Sequence, residues 1–194
     1  MTGRSRRLFF ALWPDEALRR ATVAATGRVL AAAGGRAVPS DNLHVTLAFL
    51  GNVPEERVAA AIAAGRAVPE SAGVQLFDRI VQLGESGPLV LDARRPDPLH
   101  GLVRATLAVA LVEAGFALDG RPFRPHVTLA RKPVHRVPPR PPDAASDVLA
   151  WPYAGFVLAE SVTGQEGSRY TIVERFAGAC RPARPRRRQK PYPT

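Results

Sequence analysis

Two histidines carry the chemistry that can be read from this chain. His44 and His126 each open an identical His-Val-Thr-Leu-Ala segment, at 44–48 and 126–130. In an extended strand alternate side chains share a face. Leu43, Val45, Leu47 and Phe49 therefore form an apolar face directed at a core, and His44, Thr46 and Ala48 form the opposite one. The second copy sets Val127 and Leu129 against His126, Thr128 and Ala130 in the same way. Each strand offers an imidazole and a hydroxyl side by side, with a small alanine leaving room for a ligand. A single histidine on the polar face of a strand is most often merely solvated. Packing needs only the apolar residues, so it does not explain why both polar ones recur in two copies.

Two imidazoles suit paired acid–base work, because an ordinary pKa of about 6.5 lets one be neutral and the other protonated near neutral pH. Phosphoryl transfer uses such a pair directly. The neutral ring takes a proton from an attacking water, the protonated ring gives one to the departing oxygen, and the Thr46 and Thr128 hydroxyls can hydrogen-bond the non-bridging oxygens. As a metal site the pair is weak, since no third histidine and no Asp or Glu stands at ligand spacing. His100, inside a helical segment, and His135, in a proline-rich stretch, read as bystanders. Arg131 follows the second motif, and Arg121 and Arg124 precede it. A guanidinium there could clamp phosphate charge. Strict alternation sends Arg131 to the core side, so a role for it at a cleft requires the strand to end or twist.

The elements that must position these residues follow from turn and cap signals. Arg6 to Leu12 reads as a strand, and Pro14-Asp15-Glu16 opens a helix that runs to about Ala33, stopped by Gly34-Gly35. Leu43 to Leu50 is a strand closed by Gly51-Asn52. Pro54-Glu55-Glu56 begins a second helix to about Val68, and Val74 to Leu83 is a strand. Leu89 to Ala93 is a strand, Pro96-Asp97-Pro98 starts a third helix to Gly115, and the second motif follows. Strand, Pro/Asp-initiated helix, glycine stop, proline-containing loop and motif strand thus occur twice, which implies an internal duplication with a pseudo-two-fold relation. Residues 132–142 hold five prolines and read as a loop, and Ala154 to Thr163 with Arg169 to Phe176 form a hairpin around Gly164 to Gly167.

At 194 residues and 46% hydrophobic, the chain supports one body spanning 1–180 rather than two ordinary domains. Leu8 to Trp13 is too short to be a membrane span or a signal peptide core, so a cytoplasmic protein that avoids membranes is expected. Cys180 is the only cysteine, which excludes an internal disulfide and a Cys-rich zinc site. Six of the net +10 charges fall in 181–194, where no acidic residue opposes them, so residues 1–180 carry only +4. A mildly basic body with a basic, disordered tail suits a partner made of phosphates.

The extended segments, His-Val-Thr-Leu-Ala-Phe-Leu-Gly at 44–51 and Arg-Pro-Phe-Arg-Pro-His-Val-Thr-Leu-Ala-Arg at 121–131, resemble the paired H-x-T-x motifs of the 2H phosphoesterase superfamily. The likeness is greatest to its bacterial and archaeal RNA 2′,3′-cyclic phosphodiesterase branch, historically called 2′–5′ RNA ligase. It runs from Arg7-Leu8-Phe9-Phe10-Ala11 through Asp41-Asn42-Leu43 to Arg169-Tyr170-Thr171. The resemblance implies an α+β, duplicated bilobal fold, with two antiparallel sheets flanked by helices and a central cleft. It makes His44 the proton donor and His126 the acceptor, with Thr46 and Thr128 holding the phosphate. Arg131 and Arg124 are the candidate substrate-binding arginines, and Phe9, Phe49 and Tyr170 are candidates to stack on a base.

The implied reaction opens a terminal 2′,3′-cyclic phosphate of RNA, tRNA fragments among the candidates, to a 2′-phosphomonoester. It uses neither metal nor cofactor, and a monomer suffices. Some members also run the chemistry in reverse as a 2′–5′ RNA ligase. Two rival readings remain: a phosphodiesterase for small cyclic or 2′–5′-linked nucleotides, and a non-catalytic RNA-binding protein that keeps the cleft.

Overall fold

The computed structural model describes residues 4–69, 71–120, 122–143, 147–164 and 167–177. The expected basic tail at 181–194, with Cys180 and Arg121, lies outside the described residues.

Strand β1 (Ser5–Leu12) leads into helix α1 (Glu16–Ala33). Asp15 caps that helix, its Oδ1 accepting from the Leu18 N–H at 2.7 Å, so it serves the first turn as an N-cap rather than from inside the helix. Gly34, at φ 63°, ends α1 in a conformation that favours glycine. A two-residue strand β2 (Arg36–Ala37) and a 3-10 turn (Ser40–Asn42) deliver the chain to β3 (Val45–Pro54). After a second 3-10 turn comes α2 (Val58–Arg66), then β4 (Ala72–Phe77), β5 (Arg79–Gln82) and β6 (Leu89–Asp92). Helix α3 (Pro98–Glu113) starts on the Asp97 cap with proline in its first turn, and precedes β7 (His126–Arg131). The long hairpin β8 (Leu149–Gly164) and β9 (Gly167–Ala177) completes the chain.

The strands hydrogen-bond in the order β4-β8-β1-β3-β7-β6-β5, with β9 added to β8 and β2 to β7. Every pairing is antiparallel. The nine strands form one continuous sheet rather than two separate ones, and its path divides into two lobes. One holds β4, β8, β9, β1 and β3, and the other holds β2, β7, β6 and β5. Between β3 and β7 a single residue pair, Val45 with Val127, makes the join. Each of these valines is the second residue of its motif, and β1 lies beside β3 as β6 lies beside β7. An antiparallel pair whose members are counterparts in a repeat marks a pseudo-two-fold axis.

The core explains the strand orientations. Leu8, Phe10 and Leu12 of β1 are fully buried in the main cluster with Trp151, Phe77 and Leu107, whereas Phe9 and Ala11 belong to a second, smaller cluster on the other face. Fully burying one large apolar side chain is worth about 1.5–3 kcal/mol, so a one-residue slip of β1 is prohibitive.

Three boundaries differ from expectation. The stretch Val74 to Leu83 is two strands, because β4 pairs with β8 and β5 with β6. Asp78 makes the break, its Oδ1 accepting from the Arg94 N–H at 3.1 Å. Strand β3 does not stop at Gly51 but runs to Pro54, because Gly51 at φ 70° absorbs a bulge opposite Leu8/Phe9. Strand β8 begins at Leu149, since Leu149, Trp151 and Tyr153 alternate into the core.

His100 is 0% exposed on α3; its Nδ1–H donates to Gln75 Oε1 at 3.2 Å, and its Nε2 has no hydrogen-bond partner among the described residues. Burial pushes its pKa down to about 4. A base with a folded pKa below its unfolded value of about 6.5 contributes stability that is present above pH 6.5 and lost as pH falls toward 4. The loss expected from this one group is of the order of 3 kcal/mol. Urea melts of the parent and of His100→Leu at pH 7 and pH 4.5 measure it. The parent should lose more stability on acidification than the variant, and parallel losses would refute the assignment.

Candidate active site

The two motif strands share one local irregularity. Phe10 pairs with Ala48 and Ala11 with Thr46, which leaves Leu47 as an extra residue in β3. Leu89 pairs with Ala130 and Val90 with Thr128, which leaves Leu129 as the extra residue in β7. A bulge therefore follows the threonine of each motif, and beyond it the alternation of faces is inverted. Two expectations change as a result. Ala48 and Ala130 are buried at 7% and 1% exposure and do not line a ligand space, whereas Phe49, expected in the core, is 44% exposed. Phe49 and Arg131 each stand five residues after their histidine, and both reach the cleft. The bulge supplies the twist that Arg131 requires.

An antiparallel register through Val45 and Val127 sets His44 opposite Thr128 and Thr46 opposite His126. The hydroxyl that His44 meets directly is that of its own motif, Thr46. His44 is half-buried. Its Nδ1–H donates to the Asn42 carbonyl at 2.7 Å, and its Nε2 lies 3.1 Å from Thr46 Oγ1. With the proton on Nδ1, a neutral ring receives the threonine O–H at Nε2. Phe9 lies 4.9 Å away and tilted, Trp13 is stacked at 5.8 Å and 13°, and Tyr170 meets the ring edge-on at 5.2 Å. Burial pushes the His44 pKa down to about 4; the Asn42 carbonyl opposes this, and the nearby positive charges of His126 and Arg131 add to the depression. The two motif histidines are therefore close enough that a charge on His126 disfavours protonation of His44.

His126 is held by the same device from the other lobe: its Nδ1–H donates to the Arg124 carbonyl at 2.8 Å. Arg124 itself is placed differently from expectation. Its guanidinium grips Asp92, Nε to Oδ1 at 2.7 Å and Nη2 to Oδ2 at 2.8 Å, and it is not among the cleft walls. Burial of Asp92 favours its neutral form, but the hydrogen bonds and charges of Arg124 and Arg79 outweigh that and hold its carboxyl below the ordinary value. A guanidinium committed to a buried carboxylate has little left for phosphate.

The cleft has a volume of about 330 Å³, with His44, Thr46, Thr128 and Arg131 in its wall; His126 is not among its lining residues. Phe9, Phe49 and Tyr170 wall it too, as the stacking reading requires. Sequence reasoning missed Arg7, Arg36 and Ser168, which also line it, and Trp13, which stacks on His44. Arg7 lies over the Phe49 ring at 4.9 Å. In the sequence, alternation along β1 makes Arg7 and Phe9 neighbours on one face, which was the available signal. Arg36 carried none, because it arrives through the β2 pairing with Arg131.

The comparisons with known proteins bear on this geometry. A family model described as LigT-like phosphoesterase matches residues 12–81. The RNA 2′,3′-cyclic phosphodiesterase of Thermus thermophilus is 34% identical over 182 residues, covering 88% of this chain and 89% of that protein. The chain belongs to the LigT-like phosphoesterase family. The Escherichia coli protein of the same name is 33% identical over 181 residues, covering 88% of this chain and 96% of its own length. The crystal structure of Escherichia coli LigT complexed with 3′-AMP superposes on this LigT-like phosphoesterase with a TM-score of 0.80, at 28% identity, over 91% of this chain and 99% of that one. The α+β architecture expected from the motifs is thus the architecture of the family. Among the described residues of this LigT-like phosphoesterase, no helix is long and apolar enough to cross a membrane, and no three His, Cys, Asp or Glu side chains come together as a metal-binding group.

Proposed function

We propose that this LigT-like phosphoesterase hydrolyses the terminal 2′,3′-cyclic phosphate of RNA to a 2′-phosphomonoester, with His44 and His126 as its acid–base pair. Its relatives named RNA 2′,3′-cyclic phosphodiesterase share 33–34% identity over most of the chain. The observation that carries the reading is the Val45–Val127 pair, which joins the two motif strands directly beside their histidines and threonines. A phosphorus atom between the two strands has a nitrogen base on one side and a nitrogen acid on the other.

Water supplies the nucleophile. His126 Nε2 accepts its proton as the water oxygen bonds to phosphorus, the P–O3′ bond breaks, and His44 Nε2 delivers a proton to O3′. The product carries the phosphate on O2′ and a free 3′ hydroxyl. Thr46 and Thr128 donate to the non-bridging oxygens, and Arg131 offsets their developing negative charge. The donor must arrive protonated, yet burial keeps free His44 neutral at pH 7. The bound phosphate anion supplies a counter-charge beside the buried ring and offsets Arg131, so His44 takes up its proton together with the substrate.

The pH dependence follows from that sign. In kcat/KM, which reports the free protein, the lower apparent pKa lies near 4, the position of His44 before substrate binds. In kcat it moves upward, because the phosphate anion favours the imidazolium. A lower limb at the same pH in both profiles would contradict substrate-linked protonation.

The deciding test is product identification from an RNA oligomer ending in a 2′,3′-cyclic phosphate, with a cyclic-phosphate mononucleotide assayed beside it and EDTA present. The 2′-monoester in undiminished yield supports the proposal. A 3′-monoester, or loss of turnover on chelation, overturns it. Turnover of the mononucleotide alone would favour a small-nucleotide phosphodiesterase, and binding of the oligomer without turnover a non-catalytic RNA-binding protein.

A further inference from the structure

Asp92 is fully buried and bonded to two arginines, a costly arrangement unless it organises something. Its cross-strand partner in the β6–β7 ladder is His126. Arg124, which grips Asp92 through two of its nitrogens, presents its own carbonyl to His126 Nδ1 at 2.8 Å. The other lobe repeats the plan with neutral groups. Asn42 gives its carbonyl to His44 Nδ1, and its side-chain amide donates to the Ser168 carbonyl on β9 at 2.7 Å. In both motifs the residue two before the histidine holds the ring through its backbone and is itself anchored through its side chain.

We propose that Asp92 and Arg124 are positioning residues for His126: the ion pair fixes the Arg124 carbonyl, and that carbonyl holds the His126 proton on Nδ1 so that the Nε2 lone pair faces the reacting water. The proposal rests on the acid–base reading above. The relevant chemistry is tautomer control, since a ring free to place its proton on Nε2 cannot act as the base there. It also accounts for a guanidinium beside the motif that does not wall the cleft.

Arg79 provides the control. It bonds the same carboxylate, Nε to Oδ2 at 2.6 Å, but among the described residues it makes no hydrogen bond to the segment that holds His126. Arg124→Ala and Arg79→Ala each remove one cation from Asp92, so any purely structural or electrostatic effect should be similar in the two. Arg124→Ala should lower kcat about tenfold or more with KM within about twofold, because misplacement of a reacting group costs rate rather than affinity. Arg79→Ala should leave kcat within about twofold.

Nitrogen-15 NMR of the His126 ring supplies a readout independent of turnover. The parent and Arg79→Ala should show the Nδ1–H form, and Arg124→Ala a mixture of tautomers. Equal losses of kcat in both variants, no loss in either, or an unchanged His126 tautomer in Arg124→Ala overturns the proposal. Should Arg124→Ala fail to fold, Arg124→Gln, read by the same spectra, takes its place with the same criteria. If the parent itself turns over no cyclic phosphate, the functional reading falls, while the spectra still decide whether the clasp sets the tautomer.

Discussion

Replacing either motif histidine with alanine lowers kcat on a 2′,3′-cyclic phosphate by about two to four orders of magnitude, the range for loss of a positioned acid or base. The two losses do not multiply. In the proposed mechanism each ring serves the same transition state, so the double variant should fall little below either single one. The variants differ in what else they disturb. His44 lies against Phe9, Trp13 and Tyr170, so His44→Ala leaves a gap among aromatic rings and should lower thermal stability as well as rate. Among the described residues no aromatic ring packs on His126 in this way, so His126→Ala should keep the parent's melting temperature while losing turnover. Steady-state rates beside calorimetric melts separate these effects. Retention of more than about a tenth of parental kcat by His126→Ala would remove it from the proton-transfer path.

Arg131→Ala comes next in size. Arg131 ends β7, lines the cleft beside Thr128, and adds to the depression of the His44 pKa. Losing a charge-assisted hydrogen bond to a phosphate oxygen costs about 1.5–3 kcal/mol, or roughly ten- to a hundredfold in kcat/KM. Arg131→Lys restores only part of this, because an ammonium keeps the charge and loses the planar fork. Removing the charge also eases protonation of free His44, so the lower limb of the kcat/KM profile should move up in Arg131→Ala. A normal kcat/KM in that variant would place the phosphate elsewhere in the cleft.

Much of the arrangement was legible from residue order because alternation and capping are local. Asp97-Pro98 announced α3, the duplicated pentapeptide announced the paired strands, and Val45, Leu47, Val127 and Leu129 are buried as the two-residue period requires. What escaped depends on partners distant in sequence. The bulges at Leu47 and Leu129 exist because β1 and β6 pair there with one residue fewer, and no feature of either motif announces that. Phe49 was accordingly assigned to the core, and Arg131 could reach the cleft only conditionally. Arg124 looked available for phosphate because its carboxylate partner lies 32 residues earlier in the chain. The break at Asp78 was hidden for the same reason: the apolar run 74–83 is continuous, and only its division between two lobes shows where it must bend.

The Val45–Val127 rung has a consequence for how such a catalyst can arise. Because it lies on the axis relating the halves, two separate copies of a half-length chain, meeting strand to strand as an isologous dimer, would build the same cleft with two identical walls. Joining the copies end to end frees each wall to change alone. One has enclosed its imidazole in aromatic rings and the other has set its imidazole against the carbonyl of an ion-paired arginine, so two groups that begin chemically equivalent come to sit in unlike surroundings.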